Sequence, residues 1–485
     1  MKHIILGKKT YEDKVKACWI GKNIGGTMGA PFEGKREILD VKGYTTAPGT
    51  PLPNDDLDLQ LAWLCALEDV GPKHFDANVL GEVWLEWITP HWNEYGICKT
   101  NLALGLLPPM SGEVDNDHWK TSNGAWIRSE IWAAIAPGVP DVAVKYAVMD
   151  SMVDHGIAEG VCAEIFTAAM QSCAYVESDI RTIINTALKK IPDDSRVSQT
   201  VRLVLDCYDK GIDYKETREK VVEFNADLGW FQAPGNLGFV TIGLIYGEGD
   251  FKKSLIYAVN CGDDTDCTGA TVGALLGIVG GSAGIPKDWA DYIGDRIMQV
   301  CINGGYVPRI PKTCKDLTAR VFKIVPDVMK ANGVDFEFSD EDEYTEAELA
   351  RYNRLTSADF LNRSPYSYDI NGIYSINARV ELDKTPRVKP GDVRHVSVTL
   401  KTHAKFRITR KVFVKLILAD GFTAADYEKT RMLEYPVYDH GINGECKLEF
   451  DITAGDKIDI TNRCYVEVTA QYLPAPMIIP ITFIA

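Results

Sequence analysis

Gly269, Gly273, Gly277 and Gly281 fall four apart in a run without a charged residue, Cys267 to Pro286. That spacing stacks them along one face of a helix. Glycine inside a helix costs about 1 kcal/mol relative to alanine, so the stripe is expected where a neighbouring backbone approaches closely. A crowded helix core is the plainer account of the same pattern. The run borders on the length of a membrane span. Its six glycines and the Asp-rich segment before it argue for a helix buried in protein, with no membrane partner.

The 485 residues carry 52 Lys+Arg against 68 Asp+Glu, a net charge of −16, with 46% hydrophobic and 25% charged residues. That is a globular composition, and a single core rarely grows past ~250–300 residues, so two domains are expected. The acidic balance argues against a general nucleic-acid binder, whose affinity rests on clustered Lys and Arg, and suits a protein that collects cations. Twelve cysteines lie scattered with no C-x-x-C pair, so neither a disulfide framework nor a zinc site is indicated. The thiols fit a reducing cytosol. The apolar start, Ile4-Ile5-Leu6, is too short for a signal peptide, and a cytoplasmic location is expected.

The pattern changes near residue 330. Before it, apolar residues recur at helical spacing, predicting helices over Asp55–Val70, Asp141–His155, Ala158–Ser178, Glu216–Leu228, Phe251–Asn260 and Thr268–Ile278. Residues 336–350 are acidic and read as a linker or surface helix. Beyond Asp369, alternation takes over at Val393–Val398, Lys411–Leu416 and Tyr465–Val468, with turns at Lys389–Asp392 and Ala454–Asp456. This fits an antiparallel β-sandwich. The expected division is a helical catalytic domain over 1–335, an acidic linker over 336–368 and a sandwich over 369–485. The sandwich suits docking, oligomerisation or carbohydrate contact, and a homo-oligomer is compatible with it.

Two acidic clusters share a grammar. Asn54-Asp55-Asp56-Leu57-Asp58 opens one predicted helix, and Asp263-Asp264-Thr265-Asp266 opens the glycine-striped one. Acidic residues favour helix N-termini through capping and the dipole. Capping needs one or two oxygens, however, and each cluster offers three carboxylates. Such crowding is repulsive unless a cation intervenes, and Mg²⁺ wants this oxygen supply. Brought together, the clusters would hold two ions ~3.5–4 Å apart. Upstream, the glycines of Gly25–Gly34 suit a helix packed against another backbone, followed by a turn that presents Glu33.

Gly25–Gly34, Asn54-Asp55-Asp56 and Gly262–Cys267 resemble, in order, the hallmark motifs of the ADP-ribosylglycohydrolase family. That family includes the glycohydrolase that reactivates dinitrogenase reductase. Ser122–Arg128, and His155 followed by the Ala-rich helix containing Gly160, also fit, so the resemblance covers roughly residues 11–310. It implies an all-α domain with two Mg²⁺ ions, or Mn²⁺, in a cleft. It implies hydrolysis of the glycosidic bond of an ADP-ribosyl or related ribosyl group on a protein or small molecule. By the resemblance, Glu33, Asp55, Asp56, Asp264 and Asp266 are metal ligands, and Glu33 also reaches the reacting sugar. Glu33 or an Asp of the first cluster would carry the proton. Lys120, Thr121, Ser122, Asn123 and Gly124 align with the loop around the diphosphate, and His155 with a phosphate contact.

Two ligand positions depart from the family pattern, with Asn54 and Cys267 where Thr is usual. An amide oxygen still ligates magnesium, whereas a soft sulfur mismatches it. Either one metal position is weakened, or Thr268, Asp263 or water completes the shell. One alternative reading is a glycosidase for a free nucleoside or saccharide. Another is a non-catalytic, crystallin-like relative, against which the retained acidic ligands weigh.

Overall fold

The computed structural model describes residues 4–303, 307, 309–353, 361–372, 376–402, 408–435, 437 and 444–485. It divides into two compact units. One holds the chain up to Ile97 with Asn116–Asn362, and the other Cys98–Asp115 with Arg363–Ala485.

The first unit is helical. Asp55–Val70 and Phe251–Asn260 form the helices predicted, and the run read as Thr268–Ile278 extends over Thr265–Gly284 with a break at Gly281, whose φ is 58°, so that the stripe proper is Gly269, Gly273 and Gly277. The backbone partner of the glycine stripe is the helix Lys8–Gly29. A methyl group added at Gly25 would lie 2.0 Å from the carbonyl oxygen of Gly269, and one at Gly21 2.0 Å from that of Gly273. The two helices therefore run antiparallel with their backbones nearly touching. Thr265–Gly284 is long and apolar enough to cross a membrane, and 72% of its apolar window is enclosed by protein.

Strands β1 (Ile4–Gly7) and β2 (Phe336–Ser339) pair in parallel, Ile4 opposite Phe336. The acidic stretch thus supplies a strand, followed by the short helix Glu346–Tyr352, which begins with a Thr345/Glu348 capping box. Each of the twelve cysteines is a free thiol.

The second unit contains β3 (Ser367–Ile370), β4 (Ile376–Leu382), β5 (Val393–Thr402), β6 (Arg410–Ile417), β7 (Thr423–Ala424), β8 (Glu428–Leu433), β9 (Glu445–Thr453), β10 (Thr461–Ala470) and β11 (Met477–Ile484). They form two sheets, ordered β3-β4-β5-β9-β7 and β11-β10-β6-β8, with antiparallel pairing throughout. Alternation is the cause. In β6, Val412, Val414 and Leu416 are buried while Lys411, Phe413 and Lys415 face out. Residues from both sheets share one apolar core, which Leu106, Met110 and Val114 of the Cys98–Asp115 segment also enter.

Candidate active site

The close helix pair brings the acidic motifs together. At the end of Lys8–Gly29 the chain turns through Ala30–Phe32 to Glu33. The turn is strapped to the second cluster, because Gly34 N donates to Asp263 O (2.8 Å) and Asp263 N to Lys35 O (2.7 Å). Asp263 itself faces away from the cluster centre. Its carboxylate accepts from Phe231 N at 3.0 Å and Asn236 Nδ2 at 2.8 Å. Thr268 also turns aside, its hydroxyl bonded to Thr265 O within its own helix.

Two groups of candidate ligand atoms result, each within 4.8 Å of one another: Glu33, Asp264 and Asp266, and Asp56, Asp266 and Cys267. Asp266 belongs to both. Cys267 Sγ donates to Asp56 Oδ1 at 3.2 Å. Asp56 Oδ2 and Asp266 Oδ1 are buried without a hydrogen-bond partner. Asn54 caps its helix, its Oδ1 accepting from Asp56 N at 2.8 Å, while Nδ2 faces Asp266 Oδ2 at 3.4 Å. The amide oxygen is thereby engaged locally. Asp58 looks elsewhere, accepting from Val300 N and Cys301 N at 2.6 and 2.7 Å.

Electrostatically the cluster has more carboxylates than the single nearby ammonium, Lys22, can balance. Burial first, and the charge of Asp266 next, push Asp55 and Asp264 up from the ordinary carboxylate range. Burial pushes Asp56 up against the pull of Lys22, and it raises Asp266 too. Glu33, at the cleft rim, is pushed up to about 7 by loss of water and then by Asp266, Asp55 and Asp263. A cation among these oxygens would relieve all five at once, and oxygen donors of this kind fit a divalent ion.

The cluster lies on one side of a cavity of about 450 Å³. Of the loop residues singled out by resemblance, Ser122, Asn123 and Gly124 line it. Asn123 Nδ2 donates to Asp264 Oδ2 at 2.6 Å and its Oδ1 accepts from Trp126 Nε1 at 3.0 Å, so it orients a cluster carboxylate. Lys120 pairs with Asp117 at 3.3 Å, and Thr121 bonds Gln232; neither lines the cavity. His155 is fully buried behind Ser122, with Nε2 3.1 Å from the Ser122 hydroxyl. No Lys, Arg or His occurs among the described lining residues.

Sequence reasoning missed one wall of the cleft, at the start of the helix Asn93–Ala103. Tyr95 OH donates to Asp55 Oδ2 at 3.0 Å. Glu94 lines the cavity while only 6% exposed, and burial pushes it up to about 7. Trp92, 51% exposed, and Trp119 add aromatic surface. No motif marks these residues. A Trp-Asn-Glu-Tyr run two residues after Pro90 is the only local hint.

The model of the family described as ADP-ribosylglycohydrolase matches residues 7–319, more than half of the chain. The chain belongs to the ADP-ribosylglycohydrolase family. Both clusters, Glu33 and the cavity lie inside the matched region. An uncharacterised protein of Archaeoglobus fulgidus is 21% identical over 307 residues, which is 59% of this chain and 93% of that protein. A solved structure titled "ADP-ribosylglycohydrolase-related protein complex" is 21% identical, covering 66% of this chain and 100% of its own, with a TM-score of 0.40. The ADP-ribosylglycohydrolase family places the chain among glycohydrolases, and divalent metals are usual in it.

Proposed function

We propose that the chain is a divalent-metal-dependent hydrolase that cleaves the glycosidic bond of an ADP-ribosyl group on a protein or small molecule. The observation that carries this reading is the meeting of two ligand groups on Asp266, with buried oxygens of Asp56 and Asp266 unpartnered beside a cleft. Glu33, Asp55, Asp56, Asp264 and Asp266 would hold the divalent ions. Bound ions would fix sugar hydroxyls and make a nearby water more acidic.

The chain's own groups supply the rest. Glycosidic cleavage needs a proton delivered to the leaving atom and one removed from the attacking water. Glu33, which lines the cavity at the cleft rim, is placed to exchange one of these protons. Tyr95 fixes Asp55, and Asn123 fixes Asp264. Incubation with ADP-ribosyl-arginine, ADP-ribosyl-serine and O-acetyl-ADP-ribose should release ADP-ribose from at least one. EDTA should stop the release and added divalent metal restore it. Metal-loaded protein inert on all three would remove the ADP-ribosyl assignment.

A second reading, hydrolysis of an uncharged nucleoside or saccharide, has its own support. The described lining residues offer no cationic side chain for a diphosphate. The Ser122 amide and hydroxyl both bond Trp119 O, and the Thr121 hydroxyl bonds Gln232. Exposed Trp92 suits a sugar face or base. Free nucleosides and aryl glycosides belong in the same assay panel.

A further inference from the structure

We propose that the two cation positions differ in kind. Asp56, Asp266 and Cys267 form a sulfur-containing position that selects a borderline transition ion such as Zn²⁺ or Co²⁺. Glu33, Asp264 and Asp266 form an all-oxygen position for a hard ion such as Mg²⁺. Asp266 serves both. This rests on the metal-binding reading above and specifies which ions that site takes.

The first ground is donor chemistry. The inner group offers one sulfur and two carboxylates, the outer group three carboxylates. Thiolate sulfur favours Zn²⁺ and its neighbours and is a poor partner for Mg²⁺.

The second ground is the orphaned oxygens. Asp56 is 0% exposed and Asp266 7%. Asp266 Oδ1 has no hydrogen-bond partner; Asp56 Oδ2 has none either, and its one close cation is the Lys22 ammonium at 3.7 Å, an ion pair. The Cys267 thiol satisfies only Asp56 Oδ1, at 3.2 Å. An ion would satisfy sulfur and both carboxylates together. A tetrahedral ion with bonds of ~2.3 Å to sulfur and ~2.1 Å to oxygen separates the two by roughly 3.6 Å, a few tenths of an ångström from the distance observed.

The third ground is that the substitutes for Cys267 are turned away. The Asp263 carboxylate is held by Phe231 N and Asn236, and the Thr268 hydroxyl bonds its own helix. On coordination the thiol gives its proton to solvent and binds as thiolate.

Full-length protein stripped with chelator and titrated with Co²⁺ should develop a near-ultraviolet thiolate-to-cobalt charge-transfer band. Cys267→Ser should lose that band, and Cys267→Ala, as a second variant, should lose it too. In calorimetry, wild type should bind one Zn²⁺ at least about tenfold more tightly than Cys267→Ser does, while Mg²⁺ binding at the all-oxygen position stays within a factor of about two. Mg²⁺ binding without a cobalt–sulfur band, or a band that survives in both variants, overturns this proposal and leaves the metal-site reading standing. No binding of any of the three ions by wild type overturns both.

Discussion

Lys22 stands behind Asp56, its Nζ 3.7 Å from Oδ2 of that carboxylate and 3.1 Å from Oε2 of Glu130, all three side chains out of water. The ammonium also donates to Ile127 O at 2.7 Å. Glu130 in turn accepts from Gln60 and Gln171 at 2.8 and 2.9 Å. The acidic cluster is therefore backed by a fixed polar network with a single cation facing two carboxylates.

Removing that cation strands two buried acids. Lys22→Met is expected to cost about 3–5 kcal/mol, the range for breaking a buried pair from one side. The loss should shrink as pH falls from 8 to 5, because burial pushes Asp56 up and its protonation removes that stranded charge. Urea denaturation of chelator-treated protein measures both. A loss independent of pH would mean that the side chain acts by packing alone.

Asn123 gives a second expectation. Its Nδ2 orients Asp264, while its Oδ1 is held by Trp126 Nε1. Asn123→Ala should weaken Mg²⁺ binding about 10–100-fold, as for groups that orient metal ligands. Asp264→Ala and Asp266→Ala should abolish binding at the all-oxygen position. Calorimetric affinities in Asn123→Ala equal to wild type would show that Asp264 is held without it.

What the sequence disclosed followed periodicity and spacing. Asp55–Val70 and Phe251–Asn260 were legible because apolar residues recur between an Asn or Asp cap and a Gly or Cys end. The sandwich strands were legible because they alternate. The glycine stripe foretold a close backbone, and Lys8–Gly29 is that backbone, but spacing alone does not name the partner. The wall containing Glu94 and Tyr95 was hidden because it is made by tertiary packing. Nothing local distinguishes a Glu in a helix's first turn, normally a dipole effect, from one that lines a cleft. The role of Cys98–Asp115 in the sandwich core was hidden likewise, since its Leu106, Met110 and Val114 suit either unit.

Glu94 carries a pH signature. Its folded pKa, about 7 through burial, exceeds the ordinary value of about 4.3. Between those values the unfolded chain has released the proton while the folded chain keeps it, so stability falls as pH rises. Glu94→Gln mimics the protonated form and is exempt. The stability of wild type relative to Glu94→Gln should therefore decline from pH 5 to pH 8, by up to about 1.4 kcal/mol per pH unit. Chemical denaturation of metal-free protein at four pH values tests this. A flat or rising difference would mean that Glu94 is ionised throughout.

The helix crossing gives the last expectation, and it links fold to site. A methyl group at Gly25 would lie 2.0 Å from Gly269 O and 2.6 Å from Ala270 N, backbone atoms that no rotamer change can move. Gly25→Ala must separate the two helices or tilt them. Overpacking ordinarily costs about 1–3 kcal/mol, and backbone against backbone should reach the top of that range or pass it. Glu33 follows one helix and Asp264 and Asp266 open the other, so the same displacement should also weaken metal binding. Gly280→Ala is the control, because nothing lies within 4 Å of the added methyl; it should change stability by less than about 1 kcal/mol. Thermal melts and Mg²⁺ titrations of the two variants, side by side, make the comparison. If Gly25→Ala melted like Gly280→Ala and bound Mg²⁺ like wild type, the close crossing could not be what sets the geometry of the acidic cluster.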